Sequence, residues 1–538
     1  MRWVGRAMAE PIRVLVTDSL AEEGIRLLQD SSRVAVDVKL KLTPQELTKL
    51  IGQYEGLVIR SGTQVTKEVL AQAKRLKVIG RAGAGLDNID LETASKQGVV
   101  VMNAAGGNTI STAEHTMSMI LSLTRNIPQA CASLKAGRWD RSSFMGVELY
   151  GKTLGIVGLG RIGSEVAKRA LGFGMRLLVY DPFLSEEKMR ELEAEPASQL
   201  EELLKKADYI TIHTPLTDET KSLIGTKEFS LMKKGVRIVN CARGGIVDEK
   251  ALVEAIQAGK VAGAALDVFE QEPPKNERLL SLPQVIVTPH LGASTEEAQS
   301  SVAREIAVSV RDFLLGKGIR NAVNVPSVDP EVLKLIEPYL KLVERMGILQ
   351  AQLVEGHAKE VRIRYTGEII RWDLAPLTIA FIKGLLTPAL QETVNYVNAA
   401  VIAKERGIKV IESKATEAED FANLVATVVE TDRMRSEVHG TLFTRSDPRI
   451  VRINDFYVDA IPSGVMLVVK NQDRPGMIGR IGTTLGSKGI NIAWMTFGRK
   501  AEGGEAITVL NLDQPVSAQL LSEIKKLPDV LDAKLIKL

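Results

Sequence analysis

From residue 12 to about residue 320, short continuous apolar runs alternate with stretches whose apolar positions recur every three or four residues. The runs include Arg13–Thr17, Leu57–Ile59, Lys77–Ile79, Gly98–Met102, Leu154–Val157, Leu177–Tyr180, Tyr209–His213, Arg237–Asn240, Gly263–Leu266 and Val285–Thr288. Strands buried on both faces read this way, and helical patterns of ~10–15 residues between them predict βαβ units in parallel sheets. After Pro326 the pattern changes. Pro326-Ser327-Val328-Asp329-Pro330 reads as a linker, Glu331 to Val354 as a long helix, and Pro376 to Lys404 as helix-rich. Strand-type runs follow at Leu424–Glu430, Gly440–Thr444 and Ile450–Ile453.

The last segment is more regular. Val465–Lys470 predicts a strand, Asp473-Arg474-Pro475-Gly476 a turn and Met477–Ser487 a helix. Ile490–Phe497 and Glu505–Leu512 predict strands joined by a Gly-Gly turn, followed by a helix at Ser517–Lys526 and a strand at Val530–Ile536. The order βαββαβ is that of a ferredoxin-like unit. Such a unit has one open sheet face and free edges, which pairing with a second copy would bury.

The richest signal lies mid-chain. The strand at Leu154–Val157 runs into Gly158-Leu159-Gly160-Arg161-Ile162-Gly163, a helical stretch from Ser164 to Leu171, and a second strand, Met175 to Tyr180, ending at Asp181. Gly158 permits a tight turn, Gly160 a close approach of backbone to a pyrophosphate, and Gly163 close packing of helix on strand. Helix N–H groups then face the phosphates. Asp181 is placed to accept hydrogen bonds from an adenosine ribose; its charge repels a 2′-phosphate, and Pro182-Phe183 offer no arginine to offset this, so NAD is expected over NADP. Because this signature follows a complete α/β unit, two doubly wound sheets are required. Ser111–Ser122, opening on a Ser-Thr-Ala-Glu capping box, reads as the helix crossing between them, and Ser294–Leu315 as the return.

The expected fold is therefore α/β: two doubly wound parallel-sheet (Rossmann-like) domains, an α+β intervening domain and a ferredoxin-like C-terminal domain. The boundaries are a disordered tail at 1–10, a discontinuous substrate-binding domain at 11–108 and 292–320, and a dinucleotide-binding domain at 109–291. The intervening domain takes 327–462 and the C-terminal domain 463–538.

Composition narrows the function classes. The 538 residues are 45% hydrophobic and 25% charged with a formal net charge of +3, which gives no reason to expect nucleic acid or an anionic membrane as partner. Two cysteines, Cys131 and Cys241, cannot build a disulfide framework and fit a reducing cytoplasm. No apolar run approaches the ~20 residues of a membrane span. The start, Met1 to Ala7, lacks the apolar core of a secretory signal, and Met8 is an alternative start.

Of five histidines, His290 is the natural catalytic base, because it follows the strand Val285–Thr288, and ligands of open α/β sheets bind at strand carboxyl ends. Arg243, after Val239-Asn240-Cys241-Ala242, and Glu272, after Asp267-Val268-Phe269-Glu270-Gln271, share that edge. The trio suits hydride transfer at a hydroxyl-bearing carbon: His takes the hydroxyl proton, a carboxylate stabilises the imidazolium, and Arg binds a substrate carboxylate in a forked manner. His213 reads as structural, with Thr214 and Pro215 lining an adenosine pocket. His115 reads as a helix packing or interface residue, and no direct role is expected of His357 or His439.

These motifs, with Asn240 to Asp248, Ala265 to Phe269, Glu272-Pro273-Pro274 and Thr288 to Ala293, resemble the D-isomer-specific 2-hydroxyacid dehydrogenases. The resemblance is strongest to the long branch that carries an intervening and an ACT domain and oxidises 3-phospho-D-glycerate in serine biosynthesis. It implies Arg243, Glu272 and His290 as the catalytic set. It implies cofactor contacts from Ala84, Gly158 to Gly163, Asp181, Thr214, Pro215, Cys241, Ala242, Arg243, Asp267, His290, Gly292 and Ala293. Substrate contacts are implied for Arg60, Ser61, Ala84, Gly85 and Asn108, together with Arg243 and His290; Arg60 matches phosphate geometry. Asn471, Asp473 and Asn491 are implied as the site of an L-serine effector between two ACT domains. A homo-oligomer, dimer or tetramer, and 2-oxoglutarate reduction as a side activity are also implied. Two competitors share the catalytic residues, a hydroxypyruvate or glyoxylate reductase and an NADH-sensing corepressor-like protein. The extra C-terminal domains argue against the first, and the absence of a basic or disordered tail against the second. Formate dehydrogenases carry Gln where Glu272 stands.

Overall fold

The structure is a computed structural model; residues 10–326, 328, 330–390, 393–416 and 421–538 are described. Most of the expected N-terminal tail, and Ser327 and Asp329 of the expected linker, lie outside these residues.

Two parallel sheets occupy the first part of the chain. The five-stranded sheet runs Val34–Val38, Ile12–Val16, Gly56–Ile59, Val78–Arg81, Val100–Asn103, and the seven-stranded sheet runs Val285–Val287, Val261–Leu266, Val236–Asn240, Tyr209–Ile212, Thr153–Val157, Arg176–Tyr180, Ala194–Pro196. The strands Gly56–Ile59 and Tyr209–Ile212 at their centres are buried from end to end, which is why they read as continuous apolar runs. Strand order reverses at Thr153–Val157, flanked by the strands beginning at Tyr209 and Arg176, and a crevice opens at such a switch point.

Helix Thr109–Arg125 leads from the first sheet into the second, and helix Glu296–Leu314 returns to pack on the first through Ile306 and Val310. The capping box expected at Ser111 is not formed. The helix starts earlier, with Asn108 at its N-cap and no side-chain cap, and the Ser111 hydroxyl donates to the Gly292 carbonyl at 2.8 Å. Ser111 gives that buried carbonyl the shorter of its two hydroxyl donors, the other being Thr112 at 3.2 Å, so the crossing contact prevails over the local one.

A mixed six-stranded sheet runs Lys409–Ala415, Ala358–Gly367, Asn423–Thr431, Arg435–Leu442, Pro448–Ile453, Phe456–Ala460, with helices Pro330–Leu353 and Ala375–Leu386 on one face. The four-stranded antiparallel sheet, Ile492–Arg499, Glu505–Leu512, Val465–Gln472, Val530–Lys537, is the ferredoxin-like unit in the expected chain order. Its helix-free face is not open. Met466, Val468, Ile507, Val509 and Ile536 share one hydrophobic core with Leu342, Met346, Phe456 and Val458 of the preceding unit. The face that was expected to need a second copy is thus buried within the chain.

Candidate active site

The glycine loop departs from strand Thr153–Val157. Gly158 has φ of +92°, a left-handed backbone that glycine adopts without strain, and a Cβ there would lie 2.8 Å from the His213 carbonyl oxygen. Gly160 is the N-cap of helix Arg161–Gly172 and supplies no side-chain acceptor, so the first-turn N–H groups remain available to an anion. Nothing stands within 4 Å of a Cβ built on Gly160, whereas one on Gly163 would overlap the Gly158 carbonyl. Asp181 is anchored beside this loop: Oδ2 accepts from the Leu159 N–H at 2.8 Å and Oδ1 from the Phe183 N–H at 2.9 Å. Each oxygen keeps a lone pair for a ribose hydroxyl.

Between the two parallel sheets lies a cavity of about 240 Å³ lined by Ala84, Asn108, Thr112, Ile162, His213, Thr214, Pro215, Cys241, Ala242, Arg243, Asp267, His290, Gly292 and Ala293. Twelve of these fourteen are expected site residues; Thr112 and His213 are additions. Thr112 lies one helical turn after Asn108, the only sequence signal for it. Two cavity atoms fit a polar ligand: Asn108 Oδ1 and Thr214 Oγ1 are buried without a hydrogen-bond partner. Burial pushes the His213 imidazole down to about 4 and the Cys241 thiol up to about 12, the latter aided by the Asp267 charge. Both are neutral at pH 7, so Cys241 is wall and not nucleophile. A larger hollow of about 490 Å³ between the six- and four-stranded sheets is lined by Arg435, Glu437, Asp455 and several lysines but by no histidine.

His290 sits in a turn with φ of +54°, held by its N–H on the Asp267 carbonyl at 3.0 Å. Its Nδ1 donates to Glu272 Oε2 at 2.8 Å, which leaves Nε2 as the free basic nitrogen. Glu272 is itself held by the Phe269 N–H on Oε1, at 3.3 Å. Arg243 faces the pair from the end of strand Val236–Asn240. Its Nη1 donates to the Ala242 carbonyl at 2.7 Å and its Nε to Asp87 Oδ2 at 3.1 Å, a link between the two lobes. Asn240 fixes the loop by accepting from the Ala242 N–H and donating to the Arg243 carbonyl. The guanidinium lies over Gly85, where a Cβ would overlap it.

Arg81 was not singled out from sequence, although it ends strand Val78–Arg81 at the same edge. Burial first, and then the nearby Arg243 charge, lower its pKa to about 10, with a smaller contribution from Arg60. Arg81, Arg243 and Arg60 thus gather on one side of the cleft, with Asp87 and Asp18 partly offsetting their charge. Arg60 is set by Asp18, whose Oδ2 accepts its N–H at 2.6 Å, and by Asn88, which donates to its carbonyl at 2.7 Å. Ser61 follows, exposed. Arg161 is exposed at the first turn of its helix, outside the cavity.

The three expected effector residues do not meet within one chain. Asp473 follows the strand whose last residue pairs with Glu505, while Asn491 precedes the strand whose first residue pairs with Leu512, the opposite end of the sheet. Asp473 is paired with Arg499 at 2.8 Å, Asn491 donates to Asp513 at 2.7 Å, and Asn471 is buried.

Comparison with known proteins assigns the family. A family model for the D-isomer specific 2-hydroxyacid dehydrogenase NAD binding domain matches residues 117–292, one for the D-3-phosphoglycerate dehydrogenase intervening domain matches 335–454, and one for the ACT domain matches 465–529. A D-3-phosphoglycerate dehydrogenase of Methanocaldococcus jannaschii is 46% identical, covering 98% of this chain and 100% of the relative. The chain belongs to the D-3-phosphoglycerate dehydrogenase family. A relative of the same name from Bacillus subtilis is 44% identical over 98% of this chain and 99% of its own length. Among solved structures, an Aquifex aeolicus D-lactate dehydrogenase complexed with NAD and lactic acid matches with a TM-score of 0.51 and 33% identity, over 56% of this chain and 96% of that one. The family's extra length lies in the six- and four-stranded sheets, beyond what such two-lobed structures cover.

Proposed function

We propose that this chain oxidises 3-phospho-D-glycerate to 3-phosphohydroxypyruvate with NAD, the first step of L-serine biosynthesis. The observation that carries the reading is the His290–Glu272 pair at 2.8 Å, with His290 and Arg243 lining one cavity and Arg81 and Arg60 gathered near Arg243. End-to-end identity to relatives of that name supports it over the shorter hydroxypyruvate and glyoxylate reductases.

In this reading Arg243 holds the substrate carboxylate with the guanidinium N–H groups left free by Asp87 and Ala242. Arg60, with Ser61, Gly85 and Asn108, holds the phosphate end, and Arg81 adds charge from beneath. His290 Nε2 then accepts the C2 hydroxyl proton, and Glu272 stabilises the imidazolium through Nδ1. The Gly158–Gly163 loop would hold NAD, which would supply the acceptor for the C2 hydride. The uncapped helix start faces the pyrophosphate, Asp181 the ribose hydroxyls, and Thr214, Pro215, Cys241, Ala242, Asp267, Gly292 and Ala293 wall the dinucleotide. Residues 11–108 with 292–320 serve as the substrate lobe and 109–291 as the cofactor lobe.

Steady-state assays with NAD and 3-phosphoglycerate, D-glycerate or D-lactate test this directly. The phosphorylated acid is expected to have a kcat/KM at least about a hundredfold above the others, the worth of two or three charge-assisted hydrogen bonds to phosphate. Equal values for D-glycerate would move the chain to the reductase reading.

Assembly follows from the surface. Trp139, Met145 and Tyr150 are 79%, 85% and 78% exposed on the arm after helix Ile127–Lys135, an apolar area suited to a second copy. The proposed assembly is a homodimer or tetramer in which two ACT domains also pair. Asp473 of one copy and Asn491 of another could then hold one L-serine, which must displace Arg499 from Asp473. Millimolar L-serine is expected to lower activity, and Asp473→Ala to abolish that effect with uninhibited kcat unchanged. A serine titration of both proteins, with mass by light scattering, checks this; no binding to the wild type would reduce the domain to an assembly module. Free Cys131 and Cys241 suit the cytoplasm.

A further inference from the structure

Helix Thr109–Arg125 touches the turn that carries His290 at two points. Ser111 and Thr112 hydroxyls donate to the Gly292 carbonyl at 2.8 and 3.2 Å. One turn further along, His115 Nε2 lies 3.2 Å from Asp267 Oδ1 and 3.2 Å from Thr288 Oγ1. The His115 side chain is 19% exposed and that of Asp267 only 1%.

A buried carboxylate is costly unless its lone pairs are used. Asp267 Oδ1 accepts from the Thr288 hydroxyl at 2.6 Å and the Leu291 N–H at 2.7 Å, and Oδ2 accepts from the Gly292 N–H at 2.9 Å. Among the described residues no lysine or arginine pairs with it. Burial raises its pKa, but hydrogen bonds from His115, Thr288, Leu291 and Gly292 outweigh burial and hold it below the usual carboxylate range. The Asp267 carbonyl also receives the His290 N–H, so one residue ties both chain and side chain of the 288–292 turn.

We propose that His115 is a positioning residue for this site: its Nε2–H donates to the Thr288 hydroxyl, which itself donates to Asp267 Oδ1, and lies 3.2 Å from that oxygen, and so it fixes the turn that presents His290 and the adjoining wall of the dinucleotide pocket. The bland alternative is a histidine that merely fills space between helix and sheet. The two differ in what they require, since filling needs volume and positioning needs an N–H donor at the tip. The proposal rests on the reaction proposed above only for its kinetic arm.

The test compares His115→Leu, which fills the space and favours helix but donates nothing, with His115→Gln, whose amide N–H reaches a similar point. Binding is read by titrating NADH against its fluorescence, and turnover by steady-state rates with 3-phosphoglycerate. The leucine variant is expected to bind NADH about tenfold more weakly and to lose about tenfold in kcat, the scale of one charge-assisted hydrogen bond. The glutamine variant should recover both to within about threefold, and KM for 3-phosphoglycerate should stay nearly constant in both. Wild-type NADH affinity in the leucine variant, or equal losses in both variants, would overturn the proposal. If leucine prevents folding, His115→Ala against His115→Gln gives the same contrast. A wild type that binds NADH but does not turn over 3-phosphoglycerate would defeat the proposed reaction and leave the binding comparison intact.

Discussion

His290→Ala is expected to lower kcat by about 10²–10⁴-fold, the usual worth of general acid–base catalysis, while NADH still binds. The size follows from geometry: Nδ1 is committed to Glu272 at 2.8 Å, so Nε2 is the basic nitrogen, and neither His213 nor His115 can replace it. His213 is buried with a pKa near 4, and His115 is turned toward Asp267. Removing the imidazole takes away the proton acceptor but not the dinucleotide walls, which are built from the glycine loop and from Thr214 to Ala293. Stopped-flow hydride transfer and NADH titration separate the two; a kcat near wild type would remove His290 from the mechanism.

The second large effect concerns the phosphate. Arg60→Ala is expected to cost about a hundredfold in kcat/KM for 3-phosphoglycerate, since a forked guanidinium–phosphate contact is lost, and no more than about threefold for D-glycerate. Arg81 lies close by but is largely buried and repelled by Arg243, so its charge raises the local potential without replacing the guanidinium of half-buried Arg60. Parallel progress curves on both acids check this. Equal losses would mean that the Arg60 side chain supports the loop through its Nη1 bond to the Ser19 carbonyl and does not bind substrate.

The parallel sheets were legible because doubly buried strands must be apolar at every position, and the ferredoxin-like unit because its turns carry Gly and Pro between periodic runs. The intervening region was less legible. Strand Ala358–Gly367 does alternate, with Val361, Ile363 and Tyr365 buried and Arg362 and Arg364 exposed, but it follows a long helix and its flanks carry few turn residues. Strand Lys409–Ala415 lies at the sheet edge and is mostly exposed, so little apolar pattern marks it. At the site, residues in loops after strands could be read from sequence, because strand carboxyl ends gather ligands. Asp87 and His115 could not, because each meets a partner distant in sequence: Arg243, and Thr288 with Asp267. The buried helix-free face of the four-stranded sheet was missed for the same reason, since it is covered by residues more than a hundred positions away, such as Leu342 and Met346.

The most direct measurement is a crystal structure of the His290→Ala variant soaked with NAD and 3-phosphoglycerate. The account predicts the dinucleotide along Gly158–Gly163 with its ribose on Asp181, the substrate carboxylate on Arg243 and its phosphate on Arg60. The C2 hydroxyl should point at the vacated imidazole, about 3 Å from where Nε2 would stand. A substrate whose phosphate sits on Arg243, or whose C2 faces away from residue 290, would contradict it.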